Sequence, residues 1–370
     1  MMSKLFLKTL SLTAATAVLG SPALAGPTYE NANGGSFTFY GHLDPSYLSV
    51  DDGVNTTSDL ADNSSSNSRI GFYLRQPIGQ SKFQFQFETA LGLRGSADMS
   101  QTNSLNAMDW DRTDIRKIDF SIAGSYGKFS VGQGSMASDG VAFTDLSGTG
   151  LPATASVEDL ASSFELTTTA GALSGIEIGD AFPTFDGARL GRVRYDSVSL
   201  NGFTLSTSYG TNILTEGNDD EAYDVTVRYQ NQFGDYNFDS ALGVIWTDKA
   251  TGTDTRDIST SVSVMHSSGL NGAISYGDRD TGGNYGYVKL GYTADLFAIG
   301  STAVSVDYYT GDDLVTVGSS SDSYGVALVQ NIDSLDLETY LGYREYSYED
   351  TSATTYNDLS ALIFGARWSF

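Results

Sequence analysis

The sequence predicts an all-β protein, a 16-stranded antiparallel transmembrane β-barrel. Three observations support this prediction. The first 25 residues have the form of an export signal, and the remainder alternates apolar with polar residues along strand-length segments. The connections between these segments alternate between short and long, as expected for an up-and-down barrel with tight turns at one end.

Residues 1–25 fit a signal peptide. Lys4 and Lys8 form a basic start, residues 10–20 form a short apolar stretch, and Ala23-Leu24-Ala25 provides an Ala-x-Ala cleavage site. The stretch is too short and too rich in Ala, Thr and Ser to favour a retained helical anchor. We therefore expect cleavage after Ala25, with residues 26–370 forming a single domain in the periplasm or the outer membrane.

The composition agrees with an exported sheet protein. The chain has no cysteine, so that its stability must come from sheet hydrogen bonds and packing and not from disulfides. Its 41 glycines, 22 tyrosines and 19 phenylalanines suit a large sheet with many turns and aromatic belts. A net charge of −25 argues against nucleic acid as a partner.

Sixteen strand segments are predicted along the chain. They lie near 35–49, 69–78, 81–93, 114–124, 127–134, 189–199, 202–210, 221–232, 235–247, 256–268, 270–279, 284–294, 296–310, 320–332, 334–348 and 356–370. No later segment has about 18 consecutive apolar residues, so that a membrane could be crossed only by a closed barrel, which satisfies every backbone group in lipid.

Side-chain alternation within the segments supports two different faces. In the stretch 82–88, three phenylalanines alternate with Lys, Gln, Gln and Glu, and in 69–75 Ile70, Phe72 and Leu74 alternate with polar residues. The last ten residues repeat the pattern and end on the aromatic Phe370, with Arg367 on the face expected to be wetter. A soluble sandwich also alternates, but sixteen strands without covering helices would expose too much apolar surface to water.

Four stretches carry a family resemblance, and they follow one another along the mature chain: Ser68-Arg69-Ile70-Gly71-Phe72, the stretch 127–133, Asp145-Leu146-Ser147-Gly148-Thr149 and the stretch 192–197. In these stretches the chain resembles the general porins of the Gram-negative outer membrane. The resemblance implies a passive diffusion channel for ions and small hydrophilic solutes, usually a homotrimer, whose third loop folds into the lumen and narrows it.

The connection 134–188 is the candidate for that loop. It contains eight acidic residues and no Lys or Arg, which makes it the expected acidic side of a constriction: Asp139, Asp145, Glu158, Asp159, Glu165, Glu177, Asp180 and Asp186. Loops of this length are usually functional. For any single acid, a solvated loop surface is an equally good interpretation.

Five arginines are expected to form the basic wall that faces this loop: Arg69, Arg75, Arg192, Arg194 and Arg228. Arg192 and Arg194 share one face of a strand, and a guanidinium in the hydrocarbon would cost about 2–4 kcal/mol. The resulting transverse field would let small polar solutes pass, and the excess of acid predicts a preference for cations.

Other functions are less well supported. A substrate-specific channel stays open as an alternative, whereas an outer-membrane barrel enzyme would need a catalytic constellation that His42 and His266 do not form. A secreted adhesin fits poorly with the terminal Phe370. No cofactor is expected, although acidic clusters such as Asp109-Trp110-Asp111 could bind Ca²⁺ in the loops.

The expected partners follow from the same prediction. They are outer-membrane lipids, two further copies of the chain, small solutes and ions, and the barrel-assembly machinery. Phe370 is expected to be the recognition residue for insertion and to close the barrel by pairing with the first strand.

Overall fold

The computed structural model describes residues 26–103 and 106–370. The predicted signal peptide, residues 1–25, lies outside the described residues, and its cleavage stays a prediction. No helix in the described part of the chain is long and apolar enough to cross a membrane.

The chain is built almost entirely of strands. The first eight are β1 (Thr28–Glu30), β2 (Ser36–Leu43), β3 (Pro45–Asp51), β4 (Thr56–Asp62), β5 (Arg69–Ile78), β6 (Ser81–Ala90), β7 (Ile115–Gly124) and β8 (Gly127–Ser135). After two short strands, β9 (Glu165–Thr167) and β10 (Leu173–Glu177), follow β11 (Arg189–Asp196), β12 (Phe203–Thr211), β13 (Glu221–Phe233), β14 (Tyr236–Asp248), β15 (Thr255–His266) and β16 (Leu270–Arg279).

The chain ends with β17 (Asn284–Phe297), β18 (Gly300–Asp312), β19 (Ser320–Ile332), β20 (Leu337–Glu349) and β21 (Leu359–Ser369). Among residues 26–103 and 106–370, helical structure is limited to one short helix, α1 (Ile178–Ala181), and to 3₁₀ turns at Ser64–Ser66, Arg112–Asp114, Val157–Leu160 and Asp333–Leu335.

These strands form a closed antiparallel barrel of sixteen strands. β2 and β3 are two halves of the first barrel strand, and β4 and β5 are two halves of the second, because β3 pairs with β4 and β2 pairs with β5. β21 closes the barrel on β3, from Ser360↔Asp51 to Gly365↔Ser46. The predicted all-β barrel is confirmed, but the second strand begins at Thr56 instead of near residue 69.

The wall has an outer and an inner face. Along β13, Tyr223, Val225 and Val227 are exposed, whereas Asp224 and Thr226 between them are buried. The same alternation of exposed apolar and buried polar positions recurs on β16 to β19. The exposed apolar face is the one that lipid covers in a transmembrane barrel.

The inner face is not polar throughout. On β21, Leu359, Ala361 and Ile363 are fully buried and belong to an apolar cluster with Phe164 and Phe182 of the connection after β8. The sequence predicted a wetter environment for this face. Alternation distinguishes two faces but does not show what covers the inner one, and here a folded loop covers it.

The barrel seam is completed by the carboxy-terminal residue. The backbone N–H of Phe370 donates to the carbonyl oxygen of Gly41 at 3.0 Å, and the N–H of Gly41 donates back at 2.9 Å. The Phe370 ring stacks on Phe39 with centroids 5.8 Å apart. A Cβ at position 41 would lie 2.9 Å from Cζ of that ring, so glycine is required at this contact.

Candidate functional site

The connection between β8 and β11, residues 136–188, packs against the inner face of the barrel and is called loop 3 below. β8 and β11, with nine and eight residues, are shorter than the 13-residue β13 and β14. Side chains from strands around the wall hydrogen-bond to loop 3: Ser208 on β12, Asp224 on β13, Ser261 on β15, Lys289 on β17, Ser305 on β18 and Tyr346 on β20.

Loop 3 has an apolar core of its own. Phe164, Leu166 and Phe182 are fully buried, and the ring of Phe182 meets Tyr346 edge-on at 5.1 Å between centroids. Tyr309 donates from its hydroxyl to the carbonyl oxygen of Pro183 at 2.7 Å. Buried aromatic contacts of this kind stabilise a fixed arrangement, so loop 3 is packed like a small domain.

Lys289 anchors the first half of loop 3. Its ammonium donates to Oδ2 of Asp145 at 2.7 Å, to Oγ1 of Thr149 at 3.1 Å and to the carbonyl oxygen of Ala153 at 2.7 Å. The side chain of Lys289 is 1% exposed. An unpaired ammonium at such a site would be costly, so the ion pair and the hydrogen bonds together fix this stretch of loop 3.

The eight predicted acids have different environments. Asp139 lies 3.6 Å from Nε of Arg189, and Asp145 is paired with Lys289. Glu165 accepts the N–H of Gly175 at 2.8 Å. Glu177 and Asp180 are exposed, whereas Glu158, Asp159 and Asp186 are largely covered within loop 3. The structure therefore does not bring the eight carboxylates together on one charged surface.

Burial raises the pKa values of the carboxyl groups of Asp186 and Glu158. Burial raises the pKa of Asp186 to about 7, although its carboxylate accepts the N–H groups of Gly140 and Ala142. Burial, together with the neighbouring charge of Asp159, also raises the pKa of Glu158 well above its ordinary value. Both carboxyl groups favour the protonated form in the folded loop.

We expect the folded barrel to lose stability as the pH rises from about 4 to about 7. Over this range the folded state retains a proton on Asp186 that the unfolded chain has released, so that the free energy of unfolding falls with pH. Heat denaturation in detergent measured at several pH values checks this, with Asp186→Asn as the matched variant. An identical pH slope in the variant would contradict the role given to Asp186.

The five predicted arginines lie on the inner side of their strands, but most are paired. Arg192 is 2.9 Å from Asp119, and Arg194 is 2.7 Å from Asp196. Arg228 donates to the carbonyl oxygens of Asp139 and Gly140 in loop 3. Arg75 is exposed, and it donates to Gln84 at 2.9 Å. Arg192, Arg194 and Arg228 thus support the fold around the start of loop 3.

Arg69 belongs instead to a cluster that sequence reasoning missed, called the wall cluster below: Arg69, Arg116, Lys117 and Arg189. The cluster surrounds Glu88, whose Oε1 lies 2.8 Å from Nε of Arg116 and 3.8 Å from Nη1 of Arg69. Lys117 is paired with Glu88 across the ladder between β6 and β7. Arg69, Arg116 and Lys117 are the cations around this glutamate, and Arg189 lies near Arg116 and Lys117, so that this region of the wall is positive.

A β-bulge explains why Arg116 was missed. The register between β6 and β7 shifts after Glu88, so that Thr89 pairs with Ile115 and Arg116 is left as the extra residue. Both Arg116 and Lys117 then reach the inner side, although strict alternation would place one of them in lipid. The consecutive basic pair within a strand was the sequence signal for this bulge.

A second irregularity interrupts the second barrel strand. Residues 63–68 separate β4 from β5 and fold onto the inner side, where the side-chain amide of Asn63 donates to the carbonyl oxygen of Leu151 in loop 3. Arg367 donates to Oγ of Ser66 at 3.1 Å, and His42 Nε2 contacts the carbonyl oxygens of Ser66 and Asn67. This polar insertion joins the wall to loop 3.

The acidic clusters in the loops were the candidates for a bound metal ion. Across residues 26–103 and 106–370, no group of three or more His, Asp or Glu side chains is arranged to hold a metal ion. Asp111, part of the acidic cluster with Asp109, accepts the backbone N–H and the hydroxyl of Thr113, both at 2.6 Å.

A closed barrel with an apolar outer face and charged residues on its inner face defines the class of transmembrane β-barrel proteins. A family model described as Gram-negative porin matches residues 11–351, and the chain belongs to this family. It is an integral β-barrel protein of the outer membrane. A search of curated proteins gives no significant match.

Solved structures share the fold at low sequence identity. The anion-selective porin from Comamonas acidovorans is 16% identical, with a TM-score of 0.61 over 91% of this chain and 100% of that chain. OprB of Pseudomonas putida is 10% identical, with a TM-score of 0.59 over 90% and 94%. The trimer form of OmpT from Vibrio cholerae is 16% identical, with a TM-score of 0.54 over 91% and 99%.

Proposed function

We propose that the protein is a passive diffusion channel for ions and small hydrophilic solutes, and not an enzyme. The arrangement of loop 3 carries this proposal. Loop 3 is bound to the inner side of β12 to β20, whereas the wall cluster lies on β5, β7 and β11. Loop 3 narrows the pore, and solutes pass between it and the wall cluster.

Charge acts on solutes most strongly at this narrow section. The Debye length is about 8 Å at physiological ionic strength, so that wide vestibules are screened and the constriction is not. Asp139 lies next to the wall cluster, 3.6 Å from Arg189, and places an acid of loop 3 beside the cations of the wall. The transverse field favours small polar solutes over apolar ones.

The preference for cations stays a prediction, and it depends on fewer carboxylates than the sequence offered. Asp145 is neutralised by Lys289, and burial favours the neutral form of Glu158 and Asp186. The exposed Glu177 and Asp180, together with Asp139 and Glu165, are the acids of loop 3 that we assign to the pore. The positive charges of the wall cluster oppose the preference for cations that these acids would give.

Planar lipid bilayers test the function directly. Purified protein should produce stepwise, ohmic increases in current in KCl, because an open water-filled pore conducts in proportion to voltage. Failure to conduct, accompanied by hydrolysis of a lipid or peptide substrate, would instead favour an outer-membrane enzyme.

Deletion of Phe370 should prevent insertion. Its main-chain bonds to Gly41 and its stacking on Phe39 complete the seam between the last and first strands, and the aromatic terminus is the proposed recognition residue for the assembly machinery. Cell fractionation should show the deleted chain degraded or in the periplasm. Wild-type amounts of folded protein in the outer membrane would contradict this prediction.

We further propose a homotrimer, for which the trimer form of OmpT from Vibrio cholerae, a protein of the same fold, gives support. The outer faces of β5 to β8, where β8 is short, carry exposed Leu74, Phe120, Phe129 and Val131 and offer an apolar surface for a neighbouring copy. Electrophoresis without heating should show a band of three barrels that heating converts to one. A single-barrel mass in the mildest detergent would count against it.

A further inference from the structure

The wall cluster carries more positive charge than the acids beside it can balance. Within ion-pair distance of its four cations, the described residues place two carboxylates: Glu88 beside Arg69 and Arg116, and Asp139 beside Arg189. Four cations against two acids leave two positive charges without a counterion from the protein. A solute that passes the cluster can supply the missing negative charge.

The wall cluster also has hydrogen-bond donors that are free to bind a solute. Arg116 donates from Nε to Glu88 at 2.8 Å, and its two terminal nitrogens have no hydrogen-bond partner among the described residues. The ammonium of Lys117 has no such partner there either. None of these nitrogens is one of the buried polar atoms without a partner in the described part of the chain, so they are accessible from the lumen.

Arg189 adds a third free group from the side of loop 3. It lies near Arg116 and Lys117, and its side chain is 37% exposed. Its Nε is 3.6 Å from Asp139, which is too long for a hydrogen bond. Donors from β7 and β11 therefore converge on the same space between the wall and loop 3.

Glu88 positions these cations without exposing its own charge. Its Oε1 accepts from Arg116 at 2.8 Å, and its Oε2 accepts the hydroxyl of Tyr40 at 2.7 Å. The side chain of Glu88 is 6% exposed. A solute in the lumen therefore meets the outer donors of the cluster, whereas the carboxylate that orients them lies beneath.

We propose that the wall cluster is a binding subsite for small dianions, which are solutes with two negative charges such as a dicarboxylate or hydrogen phosphate. The proposal rests on the channel function and names one class of solute for its narrow section. Two negative charges match the two uncompensated positive charges, and guanidinium and ammonium groups form charge-assisted hydrogen bonds with carboxylate and phosphate oxygens. Binding is reversible, because a solute that binds too tightly would block its own passage.

Succinate is the probe, and succinamate, in which an amide replaces one carboxylate, is the monoanion of similar size. At slightly alkaline pH and constant ionic strength, the single-channel current in KCl should fall in a saturable manner as succinate is added. The half-saturating concentration of succinamate should be about tenfold higher, as expected for one lost charge-assisted bond. Hydrogen phosphate is measured in parallel. Block by both dianions assigns the subsite to their shared charge, and block by one of them assigns it to that solute.

Two variants of the wall cluster test the contacts. Lys117→Gln should raise the half-saturating concentration of the blocking dianion about tenfold. Arg116→Lys keeps the charge but loses the planar fork of donors, so that it should raise this concentration less. Lys128→Gln is the matched control, because it removes the same charge from β8, where Lys128 pairs across the ladder with Asp196 outside the cluster.

Each variant is first shown to conduct in KCl, which tests folding and the channel function independently of the dianion. Three results would overturn the subsite: no saturable block by either dianion, equal block by succinate and succinamate, or equal effects of Lys117→Gln and Lys128→Gln. Absence of any KCl conductance would overturn the channel function itself.

Discussion

Lys289→Met is expected to produce a wider, noisier and less stable channel. The substitution removes the ammonium that bonds to Asp145, Thr149 and Ala153 and leaves the Asp145 carboxylate, 20% exposed, without its partner. Removing one partner of a buried ion pair lowers the free energy of unfolding by about 3–5 kcal/mol, and here it weakens the contact between loop 3 and the barrel wall. Single-channel conductance should rise, and larger sugars should enter proteoliposomes faster in a swelling assay.

Two further variants separate the loss of the anchor from a general effect of charge removal. Lys82→Met removes an exposed lysine that has no ion-pair partner among the described residues, and it should behave like the wild type. Lys289→Met combined with Asp145→Asn should recover part of the heat resistance, because no buried charge is then left unpaired. Wild-type conductance and heat resistance in Lys289→Met would show that loop 3 is held by its apolar core alone.

The double variant Arg116→Gln, Lys117→Gln should shift ion selectivity toward cations. Both side chains belong to the wall cluster around Glu88, and their loss removes two positive charges from the proposed narrow section. The zero-current potential across a tenfold KCl gradient measures the shift. The shift should grow as the salt is diluted, because screening weakens at low ionic strength.

A matched control removes the same residue types elsewhere. Arg112 and Lys82 are exposed, and Arg112 lies in the loop before β7 with a distant partner, Glu216, at 3.9 Å. Arg112→Gln with Lys82→Gln should leave the potential nearly unchanged, since exposed charges outside the narrow section are screened. Equal shifts in both double variants would mean that the total charge of the protein, and not the wall cluster, sets the selectivity.

Selectivity measurements also test which acids of loop 3 reach the pore. Asp145→Asn combined with Lys289→Met should change the zero-current potential little, because the double variant removes an ion pair with no net charge, whereas Asp139 lies beside Arg189 in the wall cluster. The sequence treated these two acids alike. Their different partners are a consequence of how loop 3 crosses the inner face of the barrel.

The sequence by itself determined the barrel. Strand number, antiparallel order and the outward direction of residues such as Val225 and Phe364 follow from a period of two and from turn residues, which are local properties. The same two-residue alternation along a strand predicted that Arg192 and Arg194 lie on the inner side.

Only the tertiary structure decided the pairing of charges and the folding of loop 3. The partner of Asp145, Lys289, lies far from it in sequence, and no local pattern specifies this pair. The bulge at Arg116 and the insertion 63–68 break the period on which strand prediction depends. Where a loop packs against the inside of a barrel, the contacts of each side chain are set by shape and burial, and charge counted along the chain does not predict the field that a solute meets.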